Sequence, residues 1–248
     1  KSRAKIDTED EIGHLAEDFN DMADRIEKDI EELTMTDSVS AFDGGSLMNC
    51  LSLHRIRLLA PPGGATCLPK ILGETASELD VRFLHGDTCT PLLFPAYTEE
   101  LEDLSPAHIF QRRIHGAGYS YRQCFDGAAL NFRQYDRALS ELAERHDFAI
   151  AARVAVRRLA APFALSDSAR ADYLAVLREH GGPLACALAK QGDSVSLHVL
   201  LSLSVLSDAG IDAACTAARE AGQTAALSVL LAAAGPSKPR GRAKTFDL

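Results

Sequence analysis

The chain has 248 residues, 46 % of them apolar but only 6 % aromatic with no Trp, enough for one large core or two to three small ones. Its net charge of −9 is concentrated at one end: residues 1–37 hold 13 Asp or Glu against 5 Lys or Arg, eight of the nine net negative charges. The remainder is nearly neutral, which disfavours nucleic-acid binding as a role for the whole protein. Six scattered cysteines, with no signal-peptide or transmembrane run, lead to the expectation of reduced thiols in a cytoplasmic chain. Because the first residue is Lys1, membrane attachment is expected only if a span precedes it.

In residues 7–36, Ile12, Leu15, Phe19, Met22, Ile26, Ile30 and Leu33 recur at steps of three and four with acidic residues between them. That is a heptad seam, and Thr8 with Glu11 supplies a capping box at its start. A lone helix of this kind is marginal in water, so the seam predicts a partner helix, with a homodimer through residues 9–36 as one way to provide it. The run Asp10-Glu11-Ile12-Gly13-His14-Leu15-Ala16-Glu17-Asp18-Phe19-Asn20-Asp21-Met22 resembles the second helix of a HAMP domain, the four-helix signalling coiled coil of bacterial membrane receptors. Thr34-Met35-Thr36-Asp37-Ser38 is similar to the junction at which a HAMP helix enters a GGDEF-type cyclase domain. That family's continuation is missing, so the resemblance implies a sensory role and no cyclase activity.

Residues 38–47, rich in Ser, Ala, Asp and Gly, read as a linker. Residues 48–132 read as a small α+β module. Cys50–Leu59 and Val81–Leu84 are candidate strands, with Pro61-Pro62-Gly63-Gly64 and Gly73 in a loop between them and a turn at His85-Gly86-Asp87. Ser105-Pro106 predicts a helix start, with Phe110–Ile114 helical up to Gly116 or Gly118. Tyr119–Phe125 alternates like a strand, and Asp126-Gly127 predicts a hairpin turn into Ala129–Phe132.

Five metal-competent residues fall close together here, His85, Cys89, His108, His115 and Cys124, but none shows the paired spacing that zinc ligands adopt. Arg112, Arg113 and Arg122 flank the glycines and tyrosines of residues 116–121, a mixture suited to an anion because a glycine turn frees backbone N–H groups beside guanidinium groups. No nucleophile–base or paired-carboxylate spacing is legible, so the expectation is a chain that is not an enzyme and needs no cofactor.

From residue 133 the pattern is helical: Gln134–Arg145, Phe148–Leu159, a third helix capped by Ser166-Asp167 and closed at Gly181-Gly182, and a fourth opened by Pro183. Gly192, Gly210, Gly222 and Gly235 are expected to mark further helix ends. Residues 192–201 recur 30 positions later as 222–231. Ala217–Leu231 resembles the second half of an ankyrin repeat, Ala189–Leu201 matches less fully, and Ala143–Phe148 reads as a diverged third copy.

The expected fold class is therefore mainly α: a HAMP-like amphipathic helix over 1–37, the linker, the α+β module, an ankyrin-like antiparallel α-solenoid over 133–235 and a basic tail over 236–248. The corresponding function is protein–protein interaction or regulation in bacterial signal transduction, with a protein partner on the helical repeats. The alternative is a ligand- or metal-binding module centred on residues 85–124, with the helices as scaffold.

Overall fold

Strand β2 (Arg55–Leu59) buries Ile56 and Leu58 and exposes Arg57 and Leu59, the period-two alternation of a sheet with one covered face. In the computed structural model, which describes residues 30–36, 45, 47, 50–104 and 109–234, this strand lies inside a four-stranded sheet of order β1-β2-β3-β4. β1 (Glu32–Thr36), β2 and β3 (Leu79–His85) run parallel, and β4 (Thr88–Phe94) returns antiparallel to β3. The β2–β3 crossover carries helix α1 (Leu68–Glu74), so Gly73, expected in a loop, is helical. The β3–β4 turn falls at Gly86-Asp87, with Gly86 at φ +57°, as the His85-Gly86-Asp87 signal predicts.

The seam expected to stay helical through Leu33 gives way to β1, where Leu33 pairs with Ile56 and Met35 with Leu58. Residues 1–29 lie outside the described residues, as do most of 38–47 and all of 235–248, so the acidic helix, the linker, Gly235 and the basic tail fall there. Glu32 at the head of β1 takes Arg55 at 3.0 Å and Arg57 at 3.6 Å, and the Arg55 hydrogen bond holds its carboxyl below the usual range. Behind the sheet, the Glu74 carboxylate accepts the backbone N–H groups of Gly45 and Leu47 at 2.7 and 2.8 Å, tying that stretch to α1.

β5 (Thr98–Leu104) and β6 (Ile109–His115) form a separate two-stranded antiparallel ribbon, so the helix expected over Phe110–Ile114 is a strand. An acidic strand faces a basic one, and cross-strand pairs such as Arg112–Glu99 and Arg113–Glu102 join them. Local capping signals could not show this, because those pairs are made at long range.

The alternation of Tyr119–Phe125 also resolves differently: helix α2 (Gly118–Arg122) precedes the short strand β7 (Phe125–Asp126). The predicted turn at Asp126-Gly127 leads into β8 (Ala129–Leu130), while Phe132 opens α3 (Phe132–Arg137). α4 (Leu139–Glu144) and α5 (Phe148–Ala160) follow, and α5 packs against β4. The Tyr135 hydroxyl donates to Leu93 O at 2.6 Å and accepts from Leu93 N at 3.2 Å, so a phenol caps the ladder groups that β4 leaves open as an edge strand.

Compact units divide between Arg170 and Ala171, placing α3–α5 in the same unit as the sheet. α6 (Asp167–Gln191), which enters the second unit at Ala171, continues through Gly181-Gly182 and Pro183 as one 25-residue helix, replacing the two expected. A mid-helix Pro intrinsically costs about 3 kcal/mol. Offsetting that are Leu177, Leu184, Ala185, Leu188 and Ala189, all buried, and a close approach in which a Cβ on Gly181 would come 3.2 Å from Leu206. α7 (Ser194–Ser202), α8 (Asp208–Glu220) and α9 (Thr224–Ala234) complete the unit. Gly210 ends no helix; its N–H donates to the hydroxyl of Ser207, the N-cap of α8, at 3.2 Å.

The 30-residue echo is a repeated turn. Gly192 and Gly222 sit at φ +73° and +69°, and the next residue's N–H returns to the carbonyl five positions back, Asp193 to Leu188 and Gln223 to Ala218. His146 makes the same turn at φ +61°, with Asp147 N bound to Leu142 O. Shared turns do not make a solenoid. Among the described residues, with about 51 % helix, 21 % strand and a four-stranded sheet, the fold is mixed α/β, and neither the mainly α class nor the ankyrin-like repeat stands.

Candidate functional site

Residues 116–118 lie against the backbone of residues 95–97, and only glycine allows it. A Cβ on Gly118 would sit 2.1 Å from Pro95 O, and Gly116 has φ +89° with Ala96 O 3.1 Å from where its Cβ would be. This contact sets α2 beside the β4–β5 connection and plants Arg122, 7 % exposed, beneath it. The Arg122 guanidinium donates from Nε to Thr75 O (2.9 Å), from Nη1 to Gly118 O (2.9 Å) and Pro95 O, and from Nη2 to Ser77 O (2.6 Å). Four backbone carbonyls thus hold one cation, and burial lowers its pKa to about 10.

Above it opens a cleft of about 420 Å³. Its lining comprises Pro69, Leu72 and Gly73 of α1, Phe125 of β7, and Tyr97, Arg112, Tyr119, Arg122 and Gln123. The Tyr97 and Tyr119 rings meet edge to face at 5.6 Å, and each carries a guanidinium, Arg122 5.0 Å from the Tyr97 centroid and Arg112 5.4 Å from that of Tyr119. Glu99 holds Arg112 at 2.5 and 2.7 Å, and that hydrogen bond raises the arginine's pKa.

A second hollow of about 480 Å³ shares Tyr119 and Gln123 and adds Ser120, Cys124, Gln134, Arg137 and Glu141. The Ser120 hydroxyl donates to Glu141 Oε2 at 2.5 Å, and the Cys124 thiol donates to Ser120 O at 3.2 Å. Burial pushes the Cys124 thiol up to about 12, so it is held protonated and is a poor nucleophile.

Of the three arginines singled out by sequence, the structure brings Arg112 and Arg122 into one cleft. Arg113, the next residue on a strand, points to the opposite face and pairs with Glu102 at 2.7 Å. The five metal-competent residues do not converge. His85 and Cys89 lie exposed on the β3–β4 hairpin, His115 stands 3.5 Å from Glu100 on the ribbon, Cys124 is buried by α2, and His108 lies outside the described residues. Among the described residues no group of three or more His, Cys, Asp or Glu could hold a metal ion. Sequence reading missed Tyr97 and Gly73. Tyr97 precedes an acidic strand whose partner was expected to be a helix, so nothing local tied it to Tyr119.

Residues 1–28 match the HAMP domain. This is the segment whose heptad residues resemble that domain's second helix, and it points to a role in signal transduction. HAMP domains are usually cytoplasmic parts of membrane receptors. Among the described residues, no helix is long and apolar enough to cross a membrane. No curated protein and no solved structure matches the chain.

Proposed function

We propose that the chain is a regulatory part of a signal-transduction protein, in which the HAMP-matching segment acts on the α/β unit through strand β1. One observation carries this reading: the match ends at residue 28, and by Glu32 the chain is already paired in the sheet. Among the described residues β1 is an edge strand, paired to β2 alone through five register pairs and the Glu32 ion pairs. An edge strand at the end of its sheet belongs to the least stable part of a fold, so a displacement of the preceding segment acts first on its pairing. Self-association of the seam residues that precede β1 would hold that segment in place, and its loss would release β1. The polar chemistry of the second hollow supports a regulatory reading over a catalytic one, since its thiol is held protonated and its serine is bound to a carboxylate with no histidine between them.

Because the chain has no Trp, Met35→Trp places its one tryptophan on β1, to be excited apart from the five tyrosines. Breaking the seam with Phe19→Asp in that background is expected to shift its emission to longer wavelength as β1 loosens. An unchanged emission maximum would contradict the proposal.

A further inference from the structure

We infer that the cleft between α1 and the β6–α2 corner binds a small organic carboxylate. Arg122 is a buried cation surrounded by carbonyl oxygens, and no carboxylate reaches it among the described residues. A guanidinium has five N–H groups. Four of those on Arg122 have acceptors, and one on Nη2 has none among the described residues. Arg112 is engaged by Glu99 through Nε and Nη2, leaving Nη1 without an acceptor there. The lining therefore carries one positive charge more than Glu99 balances, which suits a monoanion. The free donors, one N–H on Arg122 Nη2 and the Nη1 group of Arg112, suffice for the two oxygens of one carboxylate.

The apolar part of the lining sets the rest of the ligand. Pro69 and Phe125 are apolar and half-buried, and a bare inorganic anion would leave them unused. A volume of about 420 Å³ suits a small organic molecule. Gly73 gives an independent sign that this space is kept open. It stands in helix α1, where Gly is less favourable than Ala by roughly 0.5–1 kcal/mol, yet a Cβ there would meet nothing within 4 Å. No packing constraint among the described residues demands glycine at this position, and Gly73 itself lines the cleft, where a larger side chain would take up space. The inference rests on residues remote in sequence from β1, so it stands or falls separately from the regulatory reading.

The test is titration of the 248-residue chain with benzoate, benzamide and inorganic phosphate, followed by calorimetry and by NMR shifts of the Tyr119 and Gln123 amides. Wild-type protein should bind benzoate saturably, with benzamide and phosphate each at least about tenfold weaker, a step worth 1.4 kcal/mol. Arg112→Gln should weaken benzoate at least about tenfold. Gly73→Leu should abolish binding while the far-ultraviolet circular dichroism and melting temperature match or exceed the wild type. Absence of saturable benzoate binding would overturn the inference. So would benzamide or phosphate binding as tightly as benzoate, or a folded Gly73→Leu variant that still binds.

Discussion

Tyr121 and Tyr135 pack edge to face with ring centroids 4.8 Å apart, yet loss of their hydroxyls should move stability in opposite directions. The Tyr135 oxygen makes two hydrogen bonds to the backbone of Leu93, and burial pushes its pKa up. Tyr135→Phe keeps the ring but leaves a buried N–H and C=O of β4 unpaired, so a cost of about 1–3 kcal/mol is expected. The Tyr121 hydroxyl is buried with no partner among the described residues. Tyr121→Phe removes that unsatisfied group and should stabilise by about 1 kcal/mol. Urea unfolding of both variants at neutral pH, with unchanged m-values, reads the two shifts as displacements of the midpoint in opposite senses. Exchange of the Leu93 amide supplies the local check, since only Tyr135→Phe should speed it. A destabilised Tyr121→Phe protein, or a Tyr135→Phe protein indistinguishable from wild type, would refute the hydrogen-bond account of this core.

Arg158 is fully buried, bound to Asp136 at 2.8 and 3.1 Å, and lies 4.9 Å from the Phe132 centroid. Asp136→Ala strands that cation and should cost about 3–5 kcal/mol in chemical denaturation, with the Asp136→Leu/Arg158→Met pair recovering most of it. His146→Gly relieves a left-handed residue and should stabilise by about 0.5–1 kcal/mol, measured the same way. The folded protein keeps the Cys124 proton to about pH 12, whereas the unfolded thiol loses it near pH 9. The stability Cys124 contributes is therefore fully present below pH 9 and is lost as pH rises toward 12, so the difference between wild type and Cys124→Ala should shrink over that window in pH-dependent melting.

Features set by a few consecutive residues were legible in the sequence. The Gly86-Asp87 and Asp126-Gly127 turns, α5 and the left-handed ends at Gly192 and Gly222 each follow from local backbone preference. Where distant contacts decide, local signals misled. Ser105-Pro106 is a sound helix start, but Arg112 and Arg113 find Glu99 and Glu102 across a ribbon. Pro183 is a sound helix breaker, but Tyr173 and Leu177 before it and Leu184, Ala185, Leu188 and Ala189 after it are all buried, which holds α6 as one helix. Leu33 continues a heptad, yet its neighbours in β1 find β2. For the cleft, residue chemistry pointed to Arg112 and Arg122, and strand alternation separated Arg113 from them. Tyr97 could not be placed before the ribbon was known.

Signal entry through β1 is tested most directly by residue-resolved hydrogen exchange in the intact chain, with and without Phe19→Asp. The account predicts that the backbone amides joining β1 to β2 exchange at least about tenfold faster in the variant, a step of 1.4 kcal/mol in local opening, while those of α8 and α9 are unchanged. Equal protection of the β1–β2 ladder in the two proteins would contradict it.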